Sequence, residues 1–225
     1  PRQVGKTLKH LLVMANTKNF ILLFSSDFIL RYGYQIGKMP LLPYFAITLG
    51  ASEILVGTIL SISTITGMFL KPLVGFLSDN LGRKIWLLVA SIFFTIFPFL
   101  YLFISTPGEL TVVRLFHGTA TAILGPVSLA LVADLSPNSP STRMGTFGMA
   151  RSGAYLCAPV SAGIIVAYFS IEIAFYLIGI ISAIGTIPLL FLSSDYGKLE
   201  NSNINRSGWI KKFWMALLSS FKIGL

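Results

Sequence analysis

IWLLVASIFFTIFPFLYLFI, residues 85–104, carries no charged side chain and a single proline, Pro98, in 20 positions. A helix rises about 1.5 Å per residue, so about 20 apolar residues match a bilayer core about 30 Å thick. Arg83 and Lys84 stand directly upstream, with a second apolar run, 54–77, beyond them. Downstream, TPGE at 106–109 leaves room for a turn before a third run, 110–133. Working further outward adds 20–42 on one side and 144–169 and 173–192 on the other, six candidate spans in all. In hydrocarbon each backbone polar group must be satisfied within its own segment, so these runs read as helices. The expected fold class is an all-α membrane protein with six transmembrane helices.

Composition agrees. Of 225 residues 54% are hydrophobic and 11% charged, and the mean hydropathy is +0.79. A soluble domain has too little interior for that much apolar surface. The net charge of +9 does not point to nucleic acid, because the Lys and Arg residues sit between apolar runs rather than over one solvated face. It reads as topology and as contact with anionic membrane lipid. Cys157 is the one cysteine, and His10 and His117 lie far apart, so neither a disulfide nor a metal site is expected. No cofactor is implied. Gly5, Lys6 and Thr7 do not make a phosphate loop, for the upstream glycine and preceding strand are missing.

The loops set the orientation, since Lys and Arg are retained on the cytoplasmic side. Arg2, Lys6, Lys9 and Lys18 lie before the first run, Arg83 and Lys84 after the second, and Arg143 after the fourth. Lys198, Arg206, Lys211, Lys212 and Lys222 follow the sixth. The alternate loops hold Glu53, Glu109 and Glu172 instead. The expected organisation is a cytoplasmic leader over 1–19, a bundle over 20–192, and a basic cytoplasmic segment over 193–225. Within that segment 207–222 reads as an amphipathic helix on the inner membrane surface. The leader is expected to lie along the membrane in the same way. The chain begins at Pro1 and ends at Leu225 in a basic stretch, so both ends read as cuts. No signal-peptide cleavage pattern follows the first apolar run.

Between the second and third runs stands GFLSDNLGRKI, 75–85. It resembles the signature of the major facilitator superfamily, Gly-x-Leu-(Ala/Ser)-Asp-x-x-Gly-Arg-(Lys/Arg), carried here by Gly75, Asp79, Gly82, Arg83 and Lys84. Gly75 suits close helix approach, Gly82 a tight turn, and Asp79 and Arg83 charge-assisted contacts. In the fourth run VVRLFHGTATA places Arg114, Gly118 and Ala122 in a second family pattern. In the fifth, Ala158, Pro159, Ala162 and Gly163 are similar to an antiporter-associated motif, with two of its glycines replaced by alanine. The stretch 133–148 resembles the family's next cytoplasmic loop. The resemblance implies that Asp79 latches the outward-facing state, that Asp134 bridges to Arg83, and that Arg114 takes part in coupling. It also implies two inverted three-helix repeats, forming the amino-terminal half of a twelve-helix protein whose carboxy-terminal half is missing, with a substrate site near the midplane between the halves.

Ionisable residues inside spans are functional candidates by default. Counted from Phe20, Asp27 lies about 10 Å deep and Arg31 about 16 Å deep. Four residues apart, they share a helix face and can pair. Arg151 enters the fifth span and faces either the cavity or the cytoplasmic entrance. Lys38 and Lys71 read as interfacial anchors, and His117 as a packing residue. The plainer reading of Asp27 with Arg31 is a structural ion pair; the sharper one is a proton or substrate site. The expected function is secondary transport of a small-molecule solute by alternating access in the plasma membrane, proton-coupled drug or metabolite efflux first. A facilitator or symporter of an anionic metabolite is the alternative, on the excess of Arg31, Arg114 and Arg151 over Asp27. A receptor or assembly protein that keeps the fold is the alternative of another class. An enzyme is not expected, because no His, Cys or carboxylates cluster at one depth.

Overall fold

The computed structural model describes residues 2–136 and 139–193, with side chains from Met14 onward. The expected amphipathic helix at 207–222 lies outside the described residues. Among them every regular element is helical: α1 Arg2–Ile36, α2 Leu42–Thr48, α3 Glu53–Leu81, α4 Arg83–Leu100, α5 Pro107–Asp134, α6 Pro140–Tyr168 and α7 Ile171–Leu190. A π-helical turn, Gly37–Leu41, joins α1 to α2, and a 3₁₀ turn, Tyr101–Phe103, prolongs α4.

Local chemistry explains where the helices start and stop. Ser52, Thr106 and Ser170 cap α3, α5 and α7, each with a glutamate in the first turn where the helix dipole favours an anion. At α5 this is a full capping box, in which Thr106 Oγ1 accepts from the Glu109 backbone and Glu109 Oε2 accepts from the backbone of Thr106. Glu53, Glu109 and Glu172 therefore have a folding role at the ends where topology predicted acidic loops. Gly82, at φ +94°, separates α3 from α4 with a backbone that side chains resist.

Two boundaries differ from the sequence reading. The first span, expected to end at residue 42, continues helically to Thr48. Pro40 has no N–H to give the ladder, and the chain absorbs it in the π turn, where the Leu42 N–H reaches Gly37 O. The signature at 75–85, expected as a loop, is the last turns of α3, the Gly82 corner and the start of α4. α1 runs unbroken from Arg2 into the apolar stretch, so the expected leader and the first span belong to one helix.

Among the described residues five helical stretches are long and apolar enough to cross a membrane: Glu53–Leu81, Arg83–Phe103, Pro107–Asp134, Pro140–Tyr168 and Ile171–Leu190. α1 is not among them, and it carries Asp27, Arg31 and Gln35 between its apolar residues. α1 packs on α6 and α7, α5 on α3 and α4, and α4 on α7. Exchanging α1, α3 and α4 with α5, α6 and α7 reproduces the same five pairings. The apolar interior forms two clusters, one around Leu23, Leu30, Leu87, Phe94, Leu124 and Phe147, the other around Ile36, Leu42, Ile59, Leu110, Phe175 and Ile178. α3 and α6 lie outermost, with apolar side chains such as Met68, Phe69, Leu156 and Ile164 on the surface. Apolar residues outside and polar ones inside is the arrangement a bilayer solvent selects.

Candidate functional site

Asp27, 1% exposed, is held by two guanidinium groups. Arg31, one helical turn further along α1, donates from Nε to Asp27 Oδ2 at 2.7 Å. Arg151 of α6 donates from Nε to the same oxygen at 3.1 Å and from Nη2 to Oδ1 at 3.2 Å. Arg151 Nη2 also reaches Ser128 Oγ at 2.7 Å and Gly125 O at 3.4 Å, both on α5, and its guanidinium lies 4.7 Å from the Phe147 ring. Arg151 is thus turned toward α1 and α5. Tyr155 stands beside the cluster with its hydroxyl 3.4 Å from Arg31 Nη1. The i, i+4 spacing made the Asp27–Arg31 pair legible. Nothing local marks Arg151, Ser128 or Tyr155 as its neighbours, because they arrive by packing of α5 and α6.

Arg114 of α5 is 1% exposed and sits apart from that cluster. Its Nη2 donates to Ser63 Oγ at 2.6 Å and its Nε to Ile59 O at 3.5 Å, with the Tyr34 ring 5.9 Å away. No carboxylate pairs with it among the described residues, so hydroxyl, carbonyl and ring partners hold this cation. His117, expected as a packing residue, stacks on Phe97 at 4.9 Å, and its Nδ1 lies 2.7 Å from the Tyr101 hydroxyl. Its Nε2 is buried without a partner. Lys38 reaches toward Tyr34, 5.8 Å from that ring, and lines the same narrow space as Arg114 and His117.

At the end of the bundle where α3 meets α4, Arg83 joins two helices. Its Nη1 donates to Asp79 Oδ1 at 2.8 Å, and its Nε donates to Asp134 Oδ2 at the end of α5. Lys84 donates to Leu190 O at 3.0 Å and Leu192 O at 2.5 Å, capping the carbonyls at the end of α7. Beside it Asn19 Nδ2 donates to Ser193 Oγ at 2.8 Å, tying α1 to the same exit. The backbone acceptors of Lys84 have no sequence signature, so this contact was not legible. Gly75, expected at a close approach, has no atom within 4 Å of where a Cβ would stand. In the fifth-helix motif Ala158 and Ala162 are buried, whereas Pro159 and Gly163 face outward.

Long apolar helices with their hydrocarbon outward and ionic side chains inward define a multi-pass integral membrane protein. The chain belongs to the Major Facilitator Superfamily, whose profile matches residues 23–223. It is accordingly of a transporter family and not an enzyme. It is 27% identical over 169 residues to an uncharacterized MFS-type transporter, MJ1560, of Methanocaldococcus jannaschii, covering 75% of this chain and 42% of that protein. It is 22% identical over 201 residues to the quinolone resistance protein NorA of Staphylococcus aureus, covering 85% of this chain and 51% of NorA. The chain thus spans about half the length of these relatives.

Proposed function

We propose that this chain is the six-span half of a secondary transporter that works by alternating access, with residues 20–192 as the bundle. The stretch α1 through α2 is the sixth span, both flanking segments, 1–19 and 193–225, lie in the cytoplasm, and the plasma membrane is the host bilayer. Supporting this is the five-pair exchange pattern, in which three helices play the parts of three others, as inverted repeats do. A second half of similar size packs on the outward faces of α3 and α6. The subtype is proton-coupled efflux of a drug or metabolite, in keeping with the 22% identity to a quinolone resistance protein.

The observation that carries the mechanism is the buried carboxylate of Asp27, held by guanidinium groups of α1 and α6. Proton uptake by Asp27 requires the guanidiniums to loosen, and rocking of one helix against the other supplies that loosening. Protonation and conformation are then linked, because a ligand can shift an equilibrium only by its differential affinity for the two states. Arg114 is proposed to assist the coupling, and Asp79, Arg83 and Asp134 to form the cytoplasmic gate. Full-length protein reconstituted into vesicles should move solute when a pH gradient is imposed. Asp27→Asn should abolish accumulation against a gradient while leaving downhill exchange. If Asp27→Asn still concentrates solute in response to pH, the proton is carried by another group.

A further inference from the structure

The geometry points to a subsite for an organic carboxylate on the Nη edge of Arg31, between α1 and α6, with an aromatic or other flat apolar body as the rest of the ligand. This rests on the transporter reading above and gives its substrate a chemical class. The two guanidiniums on Asp27 are not equivalent. Arg151 spends Nε and Nη2 on both carboxylate oxygens in a fork, adds Ser128 and Gly125, and lies over Phe147. Arg31 gives only Nε, to an oxygen that Arg151 already uses. Its Nη1 has only the 3.4 Å neighbour Tyr155, and its Nη2 is buried with no partner at all. A guanidinium has five donors in a planar fork that matches a carboxylate in two parallel bonds. The Nη edge of Arg31 is that fork with its acceptor missing; Nη2 is covered by protein in this structure, so a ligand takes the fork when α1 and α6 part.

Charge leads to the same class. The groups that meet at the cluster are Asp27 and Arg31 of α1 and Arg151 of α6, two cations against one anion; α5 brings only the neutral Ser128 and Gly125. An uncompensated cation in a low-dielectric interior is costly, and an arriving carboxylate removes that cost. Arg31 lies about 18 Å along the helix from Asn19 at the α7 exit, too deep for a lipid headgroup to reach from that side. Aromatic rings that suit a flat apolar body stand along the same α1–α6 seam, where Phe28 lies against Gly153. Phe28 and Tyr32 stack at 6.1 Å with planes 3° apart, Tyr32 is tied to Ser161 of α6 at 2.6 Å, and Tyr155 is 44% exposed.

The test is equilibrium binding to the purified full-length transporter of radiolabelled 2-naphthoate and of its neutral isostere 2-naphthamide. Naphthoate should bind saturably and the amide at least about tenfold more weakly, the loss expected for one charge-assisted pair. Arg31→Gln should weaken naphthoate by a similar factor. Arg31→Lys keeps the charge and removes the fork, so it should weaken naphthoate severalfold; it decides the matter if Arg31→Gln does not fold. Equal binding of the two probes, no binding of either, or undiminished naphthoate binding by Arg31→Lys overturns the proposal. Transport driven by a pH gradient, measured on the same preparations, separates the two claims. If such transport persists while naphthoate fails, the carboxylate subsite falls and the transporter reading stands. If naphthoate binds but no pH-driven transport of any solute occurs, the reverse holds.

Discussion

The contacts of Arg83 carry little weight in stability and are proposed to carry more in gating. Its partner Asp79 is 57% exposed and Asp134 is 33% exposed. Solvent screening leaves exposed pairs about 0–1 kcal/mol each. The triad nevertheless joins the Gly82 corner to the far end of α5, so any rearrangement that parts these ends must break it. Asp79→Asn in the full-length protein should therefore leave expression and thermal unfolding within about 1 kcal/mol of the parent, while initial transport rates fall severely. Undiminished transport at normal expression would reduce the motif to a structural corner. The residue types here were readable because the signature fixes them, and Asp134 was reached through the same resemblance. What could not be read were contacts whose acceptor is backbone or whose partner lies on a distant helix, such as Lys84 on Leu190 and Arg151 on Asp27. Sequence spacing reports neighbours on one helix, not across two.

Where two helices cross, small residues set the distance, and Gly118 of α5 does so against the backbone of α3. A Cβ on Gly118 would lie 2.5 Å from the Ser63 carbonyl oxygen and 2.8 Å from Thr66 Cβ. Backbone occupies the space, so no rotamer change relieves the clash, and the helices must separate. Separation would also disturb Arg114, whose Nη2 bond to Ser63 crosses the same contact. Gly118→Ala should cost about 1–3 kcal/mol, as overpacking does, seen as a lower unfolding midpoint in detergent. Gly57→Ala on α3, where a Cβ would meet nothing within 4 Å, should be neutral or stabilising by up to about 1 kcal/mol from helix propensity. If both substitutions behave alike, the crossing is not the reason for Gly118. Apolar runs announced α3 to α7 within a few residues, because hydrocarbon tolerates no other backbone arrangement. The ends were harder: Pro40 reads as a stop but is absorbed by a π turn, and polar residues near 79–81 read as loop but continue the helix.

The two ends of the whole molecule differ in charge for two separate reasons. At one end Arg83 pairs with Asp79 and Asp134, Arg143 reaches Thr17 of α1, and the exit of α7 is held by Lys84 and Asn19. At the other, Glu53, Glu109 and Glu172 occupy the first turns of α3, α5 and α7, where helix dipoles and caps favour them. The acids thus follow from folding; among the cations Lys84 also caps the end of α7, and the expected orientation rests on the Lys and Arg asymmetry as a whole. Orientation can be tested on the exposed positions at each end, starting from the full-length protein with the exposed Cys157 changed to serine. Ser105→Cys and Glu172→Cys should react with a membrane-impermeant maleimide in intact cells. Asn80→Cys and Ser139→Cys should react only after permeabilisation. Ser105 is chosen over Thr106 because the latter caps α5, and losing a cap costs about 1 kcal/mol. Labelling of Asn80→Cys from outside intact cells would invert the bundle. The proposed gate at Arg83 would then face the exterior rather than the cytoplasm.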